Sequence, residues 1–158
     1  MPKKLAIIAT KGTLDWAYPP FILASTASAL GYETQIFFTF YGLQLLKKKP
    51  SLKVSSLGNP GMPMPMGMDK WFPTLLQAAP GMGAMMTAMM KAKMKKKGIA
   101  SIEELRSICS EAEVRMIACQ MTVDLFDMKQ SDLIDGVDYG GAALFFEFAG
   151  EADISLYM

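Results

Sequence analysis

The sequence predicts a three-layer α/β/α sandwich with a mostly parallel sheet of about five strands. Short apolar runs alternate along the chain with segments of helical periodicity. A strand, a helix and a second strand in succession imply a parallel crossover, and repeated crossovers build a layered α/β fold. At 158 residues with 51% hydrophobic residues, the chain is long enough for one core, and we expect a single domain over residues 1–158.

The first unit of this pattern is a strand followed by a long helix. Residues 5–9 (LAIIA) form an uninterrupted apolar run, which is typical of a central strand covered on both faces. Thr13 or Asp15 is suited to cap the next helix, and we expect Pro19 and Pro20 in its first turn, where a missing N–H is tolerated. The helix is expected to end at the next glycine along the chain.

A second strand and a short helix follow. Residues 34–40 (TQIFFTF) are β-branched and aromatic, as strands prefer. Tyr41 and Gly42 open a short helical segment over residues 43–48. Residues 52–57 (LKVSSL) alternate between apolar and polar, which predicts a third, marginal strand at or near an edge of the sheet.

An insertion is predicted over about residues 58–98. Its first part, residues 59–68, alternates proline with methionine, which excludes a regular helix or a central strand and predicts an extended polyproline II loop. Residues 82–97 predict a helix with methionines at the spacing of one helix face, namely Met82, Met85, Met86, Met89 and Met90. Such a stripe is typical of a helix that covers a core. It also suits an adaptable surface for a partner, a second copy or a membrane.

The C-terminal third continues the alternation. Ser101 and Glu104 form a capping box at the start of a helix, and Cys109 falls on the buried side of that helix, where we expect it in the core. The remaining elements are a helical turn, a helix and a strand, over residues 131–134, 141–149 and 154–157.

Cys119 lies where a predicted strand meets a predicted helix. Residues 114–118 are a short apolar run, and after Cys119 the apolar residues adopt helical spacing. A cysteine at the carboxyl end of a strand and before a helix meets free N–H groups and the positive end of the helix dipole, which favour the thiolate. The same residue also fits a small buried space-filler, because free cysteine is among the most buried residue types.

Composition excludes several classes of chemistry. The sequence has no histidine, so it holds neither a Ser-His-Asp triad nor a Cys-His pair. Two cysteines cannot form a four-thiolate zinc site. We therefore predict neither a metal nor an organic cofactor. A net charge of +1 does not suggest nucleic acid. Two cysteines and no signal peptide or apolar stretch of membrane-spanning length predict a reducing, cytoplasmic location.

The predicted sheet brings several loops to one end. The strands that end near residues 9, 40 and 118 have their carboxyl ends at the same edge of the sheet. We therefore expect the loops after these strands to surround Cys119. Lys11 is the nearest cation in sequence, and the loop at residues 10–13 fits either an anion site or a tight turn. The predicted residues lining the site are Thr10, Lys11, Gly12, Thr13, Asp15, Tyr41, Gly42, Gln120, Met121, Thr122, Gly140 and Gly141.

Several stretches also resemble one protein family. KGTLDWAYPP at residues 11–20, FFTFYGLQLLKK at 37–48 and GNPGMPMPMG at 58–67 resemble the DsrE-like proteins, in particular their methionine-rich branch, which is often labelled peroxiredoxin-like. IACQMTVDLF at 117–126 and DGVDYGGAA at 135–143 extend the resemblance over nearly the whole chain in the same order.

The resemblance implies a function in sulfur metabolism. It implies a DsrE-type fold, a homo-oligomer, and a sulfurtransferase or sulfur carrier that holds sulfane sulfur as a persulfide on Cys119. The implied partners are small TusA-like or rhodanese-like carriers, with contact between the methionine-rich segment and a membrane surface. Two alternatives remain open: a non-catalytic module that binds a partner or membrane through the methionine-rich helix, and a flavin or nucleotide binder that uses residues 10–13.

Overall fold

A five-stranded parallel sheet forms the centre of the computed structural model, which describes residues 1–57, 59, 67, 71 and 73–158. All four strand pairings are parallel, in the order β4-β3-β2-β1-β5. The strands are β1 (Lys4–Ala9), β2 (Glu33–Phe38), β3 (Arg115–Cys119), β4 (Asp138–Gly140) and β5 (Ile154–Tyr157). The predicted fold class is confirmed.

Six α-helices and two 3₁₀ helices occur among the described residues. The α-helices are α1 (Leu14–Ala29), α2 (Thr74–Gln77), α3 (Met82–Lys96), α4 (Ile102–Glu111), α5 (Gln120–Leu125) and α6 (Ala142–Ala149). The 3₁₀ helices are Phe40–Leu46 and Gln130–Asp132. None of these helices is long and apolar enough to cross a membrane.

Helices cover both faces of the sheet. Neighbouring residues of a strand point to opposite faces, and the aromatic side chains of β2 show this directly. Phe38 packs on Phe21 of α1 with ring centroids 5.8 Å apart, whereas Phe37 packs on Phe145 of α6 at 5.4 Å. Helix α4 lies on the side of α1, because the Cys109 thiol donates to the Phe21 carbonyl at 3.4 Å.

The chain groups into two compact units. The first comprises Met1–Gly12, Trp16–Ser51 and Ser101–Met158, and contains the sheet. The second comprises Thr13–Asp15 and Leu52–Ala100. The expectation of a single domain with an insertion over about residues 58–98 stays a prediction.

Hydrogen bonds from irregular backbone organise the second unit. The Ser55 N–H and hydroxyl donate to the Asp15 carboxylate at 2.8 and 2.7 Å, and the Val54 N–H donates to the Thr87 hydroxyl at 3.1 Å. Helix α3 buries Met86 and leaves Met85 49% exposed. The extended loop predicted for residues 59–68 lies outside the described residues, apart from positions 59 and 67.

Four sequence-based expectations about elements were wrong. Residues 52–57 form no strand, because their backbone groups bond to α1 and to α3 instead of to a neighbouring strand. Strand β4 was not expected, because its short polar sequence, Asp138–Gly140, did not indicate a strand. Pro19 and Pro20 lie inside α1 rather than in its first turn. The helix expected over residues 43–48 is a 3₁₀ helix that begins at Phe40.

Candidate functional site

The carboxyl ends of the parallel strands meet at one end of the sheet, which we call the carboxyl edge. Here the 3₁₀ helix that follows β2 lies directly against the end of β1. The Gly42 N–H donates to the Thr10 carbonyl at 3.1 Å, and a side chain at residue 42 would overlap the Ala9 carbonyl. A side chain at residue 12 would overlap the Tyr41 carbonyl. Glycine at both positions therefore permits a backbone contact that any larger residue would prevent.

Two threonine hydroxyls connect β2 to α5 at this edge. The hydroxyl oxygens of Thr39 and Thr122 lie 3.2 Å apart, and the Phe40 N–H donates to the Thr122 hydroxyl oxygen at 3.1 Å. Phe40 has a φ of +48°, which places a non-glycine residue in the left-handed region. Since the Phe40 N–H occupies a lone pair of the Thr122 oxygen, the Thr122 O–H is left to donate elsewhere.

Cys119 lies at the junction of β3 and α5, where it is the N-cap residue of the helix. Its side chain belongs to an apolar cluster on the α6 face, with Ala6, Phe37, Ile117 and Phe145, and only 5% of the residue is exposed. Cys119 pairs in register with Gly140 of β4, which is one of the residues predicted to line the site. The sulfur is therefore close to the carboxyl edge but largely covered.

Burial and hydrogen bonding have opposite effects on the Cys119 thiol. Burial raises its pKa, because a low-dielectric environment disfavours the thiolate. Hydrogen bonding from the hydroxyl and the N–H of Thr122 favours the thiolate and lowers the pKa. The Thr39 hydroxyl and the Met121 N–H lower it further. Together these hydrogen bonds outweigh burial, so the pKa of Cys119 lies below its ordinary value of 9.0.

Cys109 has the opposite character. It is fully buried on the α1 face of the sheet, as expected from the sequence, and burial raises its pKa to about 11. Its thiol donates to the Phe21 carbonyl, which suits the neutral form. Cys109 is thus a protonated core residue at neutral pH, and the sheet separates it from the cluster around Cys119.

Only some of the predicted lining residues are in direct contact with Cys119. Thr122 and Met121 lower the pKa of Cys119, and Gly140 pairs with Cys119 in register. Thr10, Tyr41 and Gly42 belong to the carboxyl edge, as does Gly12 through its approach to Tyr41. Gly141 is the N-cap residue of α6. The predicted site, with Cys119 as its reactive residue, stays a prediction.

The other predicted lining residues have different partners. The Lys11 ammonium lies 3.2 Å from the centroid of the Trp16 ring, and the Gln120 amide donates to Asp124 at 2.7 Å. Thr13 and Asp15 belong to the second unit, where both bond to Ser55. The donors that lower the pKa of Cys119 are hydroxyl and N–H groups, so Lys11 is not needed to explain the shift.

The sequence interpretation missed Thr39 and Phe40. Both follow the last residue of β2, and their bonds to Thr122 span more than eighty positions. A polar residue directly after a buried strand was the available signal for Thr39, but the predicted strand extended over it to residue 40.

The described residues give little support to a bound cofactor. Among them, no group of three or more histidine, cysteine, aspartate and glutamate side chains could hold a metal ion. The N–H and the hydroxyl of Thr10 both donate to the Met158 carbonyl, at 2.8 and 3.1 Å. The first residue of the 10–13 loop is therefore not a free donor for a phosphate.

Sequence comparison defines the class of protein. The model of the DsrE/DsrF/DrsH-like family matches residues 1–157, and the chain belongs to this family. It is 80% identical over 156 residues to the sulfur carrier protein DsrE2 of Allochromatium vinosum, with 99% of this chain and 98% of that protein covered. It is 33% identical to the uncharacterized protein YrkE of Bacillus subtilis, with 99% and 97% covered.

Structural comparison agrees on the fold. The crystal structure of the ychN protein from E. coli matches with a TM-score of 0.54 over 99% of each chain, at 16% sequence identity. At that identity the likeness shows the fold alone. It places the five-stranded parallel arrangement within a fold already seen in a crystal structure.

Proposed function

We propose that this chain is a sulfur carrier that holds sulfane sulfur as a persulfide on Cys119. The observation that carries the proposal is the position of Cys119 at the end of β3 and at the N-cap of α5, where Thr39, Met121 and Thr122 lower the pKa of its thiol. The 80% identity to a protein named as a sulfur carrier supports the same function. Because the thiolate is the nucleophile in sulfur exchange, the lowered pKa supplies the reactive form.

Loading is a thiolate displacement without net oxidation. The Cys119 thiolate attacks the outer sulfur of a donor persulfide, R–S–SH. A bond forms between the Cys119 sulfur and that outer sulfur, the donor S–S bond breaks, and the donor leaves as the thiolate R–S⁻. The proton stays on the transferred sulfur, which gives Cys119–S–SH.

Unloading is the same displacement in reverse. An acceptor thiolate attacks the outer sulfur of Cys119–S–SH, and Cys119 leaves as a thiolate. Hydrogen bonding that stabilises the Cys119 thiolate lowers its pKa and makes it a better leaving group. One set of donors thus serves both directions of transfer.

The small exposed area of Cys119 places a condition on the reaction. With 5% of the residue exposed, a donor reaches the sulfur only when the surrounding side chains move. The 3₁₀ helix beside the site begins at Phe40, whose φ of +48° costs about 1 kcal/mol or more in a non-glycine residue.

The partners and the setting belong to the proposal. The donor or acceptor is a small TusA-like or rhodanese-like carrier, and the chain acts as a homo-oligomer in the cytoplasm. Contact with a membrane surface through the methionine-rich segment is favoured by α3, which leaves Met85 49% and Met89 36% exposed. A vesicle flotation assay with and without α3 tests this contact.

Intact mass spectrometry tests the carrier function with a matched pair of variants. After treatment with inorganic polysulfide, we expect the wild-type chain and Cys109→Ser to gain the mass of one sulfur atom, which a reductant removes. Cys119→Ser should gain none. A sulfur gain that persists in Cys119→Ser and is lost in Cys109→Ser would refute the assignment.

A further inference from the structure

Exposed aromatic side chains lie next to Cys119 at the carboxyl edge. Phe126, directly after α5, has its ring centroid 6.5 Å from that of Phe40 and 5.8 Å from that of Tyr41. Tyr41 is 64% exposed and Phe40 45% exposed. These rings contact one another while one side of the group faces solvent, so they form a continuous apolar surface.

Helix α5, which begins directly after Cys119, adds further exposed apolar side chains. Met121 and Leu125 are four positions apart, which places them on the same side of the helix, and they are 60% and 58% exposed. We call the whole surface the α5 patch. Its members are Phe40, Tyr41, Met121, Leu125 and Phe126.

Carboxylates without a counter-ion lie beside the α5 patch. Asp124 is three positions after Met121, and Asp127 is three positions further on. Among the described residues, neither carboxylate forms an ion pair, and Asp124 accepts only from the neutral amide of Gln120. No basic residue occurs in the sequence between Arg115 and Lys129. Within residues 116–128 the surface is therefore apolar with a negative border.

We propose that the α5 patch docks the protein with which Cys119 exchanges sulfur, and that this protein carries its thiol among apolar and basic side chains. The proposal rests on the proposed sulfur-carrier function. Transfer requires the partner's sulfur to come within bonding distance of the persulfide's outer sulfur, which lies one S–S bond of about 2 Å beyond the Cys119 sulfur. The partner must therefore cover the surface next to Cys119, and that surface includes Met121 two residues away.

The carboxylates beside the α5 patch favour some binding partners over others. A partner with lysine or arginine near its cysteine satisfies Asp124 and Asp127, and those cations also favour the partner's own thiolate. An anionic membrane is disfavoured, because its headgroups would face the same carboxylates. The apolar rings would be buried at the centre of the contact with the charges at its rim, as in other protein interfaces.

Two cysteine peptides of equal length test the proposal. One has leucine and lysine on both sides of its cysteine, and the other has glutamate in place of each lysine. The chain is first loaded with inorganic polysulfide, and persulfide transfer to each peptide is followed by mass spectrometry. Leu125→Lys changes the α5 patch. Leu30→Lys is the matched control, because Leu30 is 72% exposed and follows the end of α1 at the opposite end of the sheet.

The wild-type chain should transfer sulfur at least about tenfold faster to the lysine peptide than to the glutamate peptide at low salt. The ratio should shrink at high salt, because screening weakens the attraction. Leu125→Lys should lose most of the preference and Leu30→Lys should keep it. Polysulfide loading should be equal in all three proteins.

Two results would overturn the docking proposal while leaving the carrier function intact. One is normal loading with equal transfer to both peptides, unchanged by Leu125→Lys. The other is binding to phosphatidylglycerol vesicles that Leu125→Lys alters and Leu30→Lys does not, which would assign the α5 patch to a membrane. Failure of the wild-type chain to load would instead contradict the proposed function itself.

Discussion

At the scale of single residues, the two cysteines show how the environment sets thiol reactivity. Both are buried, with 0% of Cys109 and 5% of Cys119 exposed. Burial raises the pKa of Cys109 to about 11, but hydrogen bonds to Cys119 reverse the effect of burial there. The two thiols therefore differ in pKa because of their hydrogen-bond donors and not because of their exposure. The hydroxyls of Thr39 and Thr122 are the groups to test.

Thr39→Val removes one of the donors to Cys119 without adding volume to the site. We expect a higher pKa for Cys119, and polysulfide loading at neutral pH slower by on the order of tenfold, because a hydrogen bond to a thiolate is lost. Ultraviolet titration of the thiolate and the pH dependence of loading measure the shift. Thr34→Val, near the start of β2 and so at the opposite end of the sheet from Thr39, should change neither quantity.

The pH profile of loading has a defined sign. Thr39→Val should need a higher pH to reach the wild-type rate, and the two rates should converge once both thiols are ionised. Equal rates for wild type and Thr39→Val across the whole pH range would contradict a role for this hydroxyl.

Cys109 should make the fold sensitive to alkaline pH. In the unfolded chain this thiol ionises near 9.0, whereas in the folded chain it stays protonated to about 11. The unfolded state therefore releases a proton first, and the fold loses stability as pH rises from about 9 to 11. The loss attributable to Cys109 is about 2–3 kcal/mol.

Urea unfolding at pH 8 and above measures this loss. Cys109→Ala lowers stability near pH 8 by leaving a small cavity, but the alkaline decline should be shallower than in wild type. Parallel declines in the two proteins would show that Cys109 does not titrate as its burial implies.

At the scale of elements, the carboxyl edge depends on close backbone packing. The 3₁₀ helix Phe40–Leu46 contacts the end of β1 only because residue 42 lacks a side chain. The same 3₁₀ helix carries Phe40, whose N–H orients the Thr122 hydroxyl. Packing at Gly42 thus helps to position the Thr122 hydroxyl, which lowers the pKa of Cys119.

Gly42→Ala should displace the 3₁₀ helix from β1. We expect a loss of about 1–3 kcal/mol in the free energy of unfolding, and slower sulfur loading because the donors to Cys119 move. Gly83→Ala is the matched control, since a side chain there meets nothing within 4 Å and α3 gains helix propensity. A Gly42→Ala variant with wild-type stability and loading would contradict this account of the edge.

Much of this level of organisation was predictable from the sequence. Continuous apolar runs correctly located β1, β2 and β3, and the capping box of Ser101 and Glu104 located α4. The junction at Cys119 was predictable for the same reason, since the pattern changes there from strand to helix. Local periodicity is sufficient where an element is buried along its length.

Elements defined by distant partners were not predictable. The three residues of β4 have no apolar pattern, and their pairing with β3 comes from tertiary structure. Residues 52–57 have a strand-like alternation, but the Val54 and Ser55 N–H groups donate to the side chains of Thr87 and Asp15 instead of to a neighbouring strand. The Thr39–Thr122 contact likewise joins residues that no local pattern relates.

At the scale of the whole molecule, the parallel sheet unites the site. All strands run in one direction, so every strand-to-helix connection leaves the sheet at the carboxyl edge. That arrangement gathers Thr10, Gly42 and Cys119 from three separate parts of the chain. It also places the α5 patch next to the cysteine, where a sulfur-exchange partner must dock.

The second unit adds a surface that the sulfur chemistry does not require. Helix α3 combines exposed methionines with Lys93, Lys95 and Lys96 in its last turn. Those cations complement the helix dipole and leave a basic end for an acidic partner or an anionic surface. Cys119, Thr39, Met121 and Thr122 all belong to the first unit, so variants of α3 test a contact of this helix separately from sulfur loading.

Peptide mapping after polysulfide treatment tests the central claim most directly. Cleavage after Arg106, Arg115 and Lys129 separates the two cysteines, with Cys109 in the peptide 107–115 and Cys119 in the peptide 116–129. After loading at neutral pH and alkylation to trap persulfides, the extra sulfur should be found in the peptide 116–129. Its presence in the peptide 107–115 alone, or in neither peptide of a fully folded protein, would contradict the account.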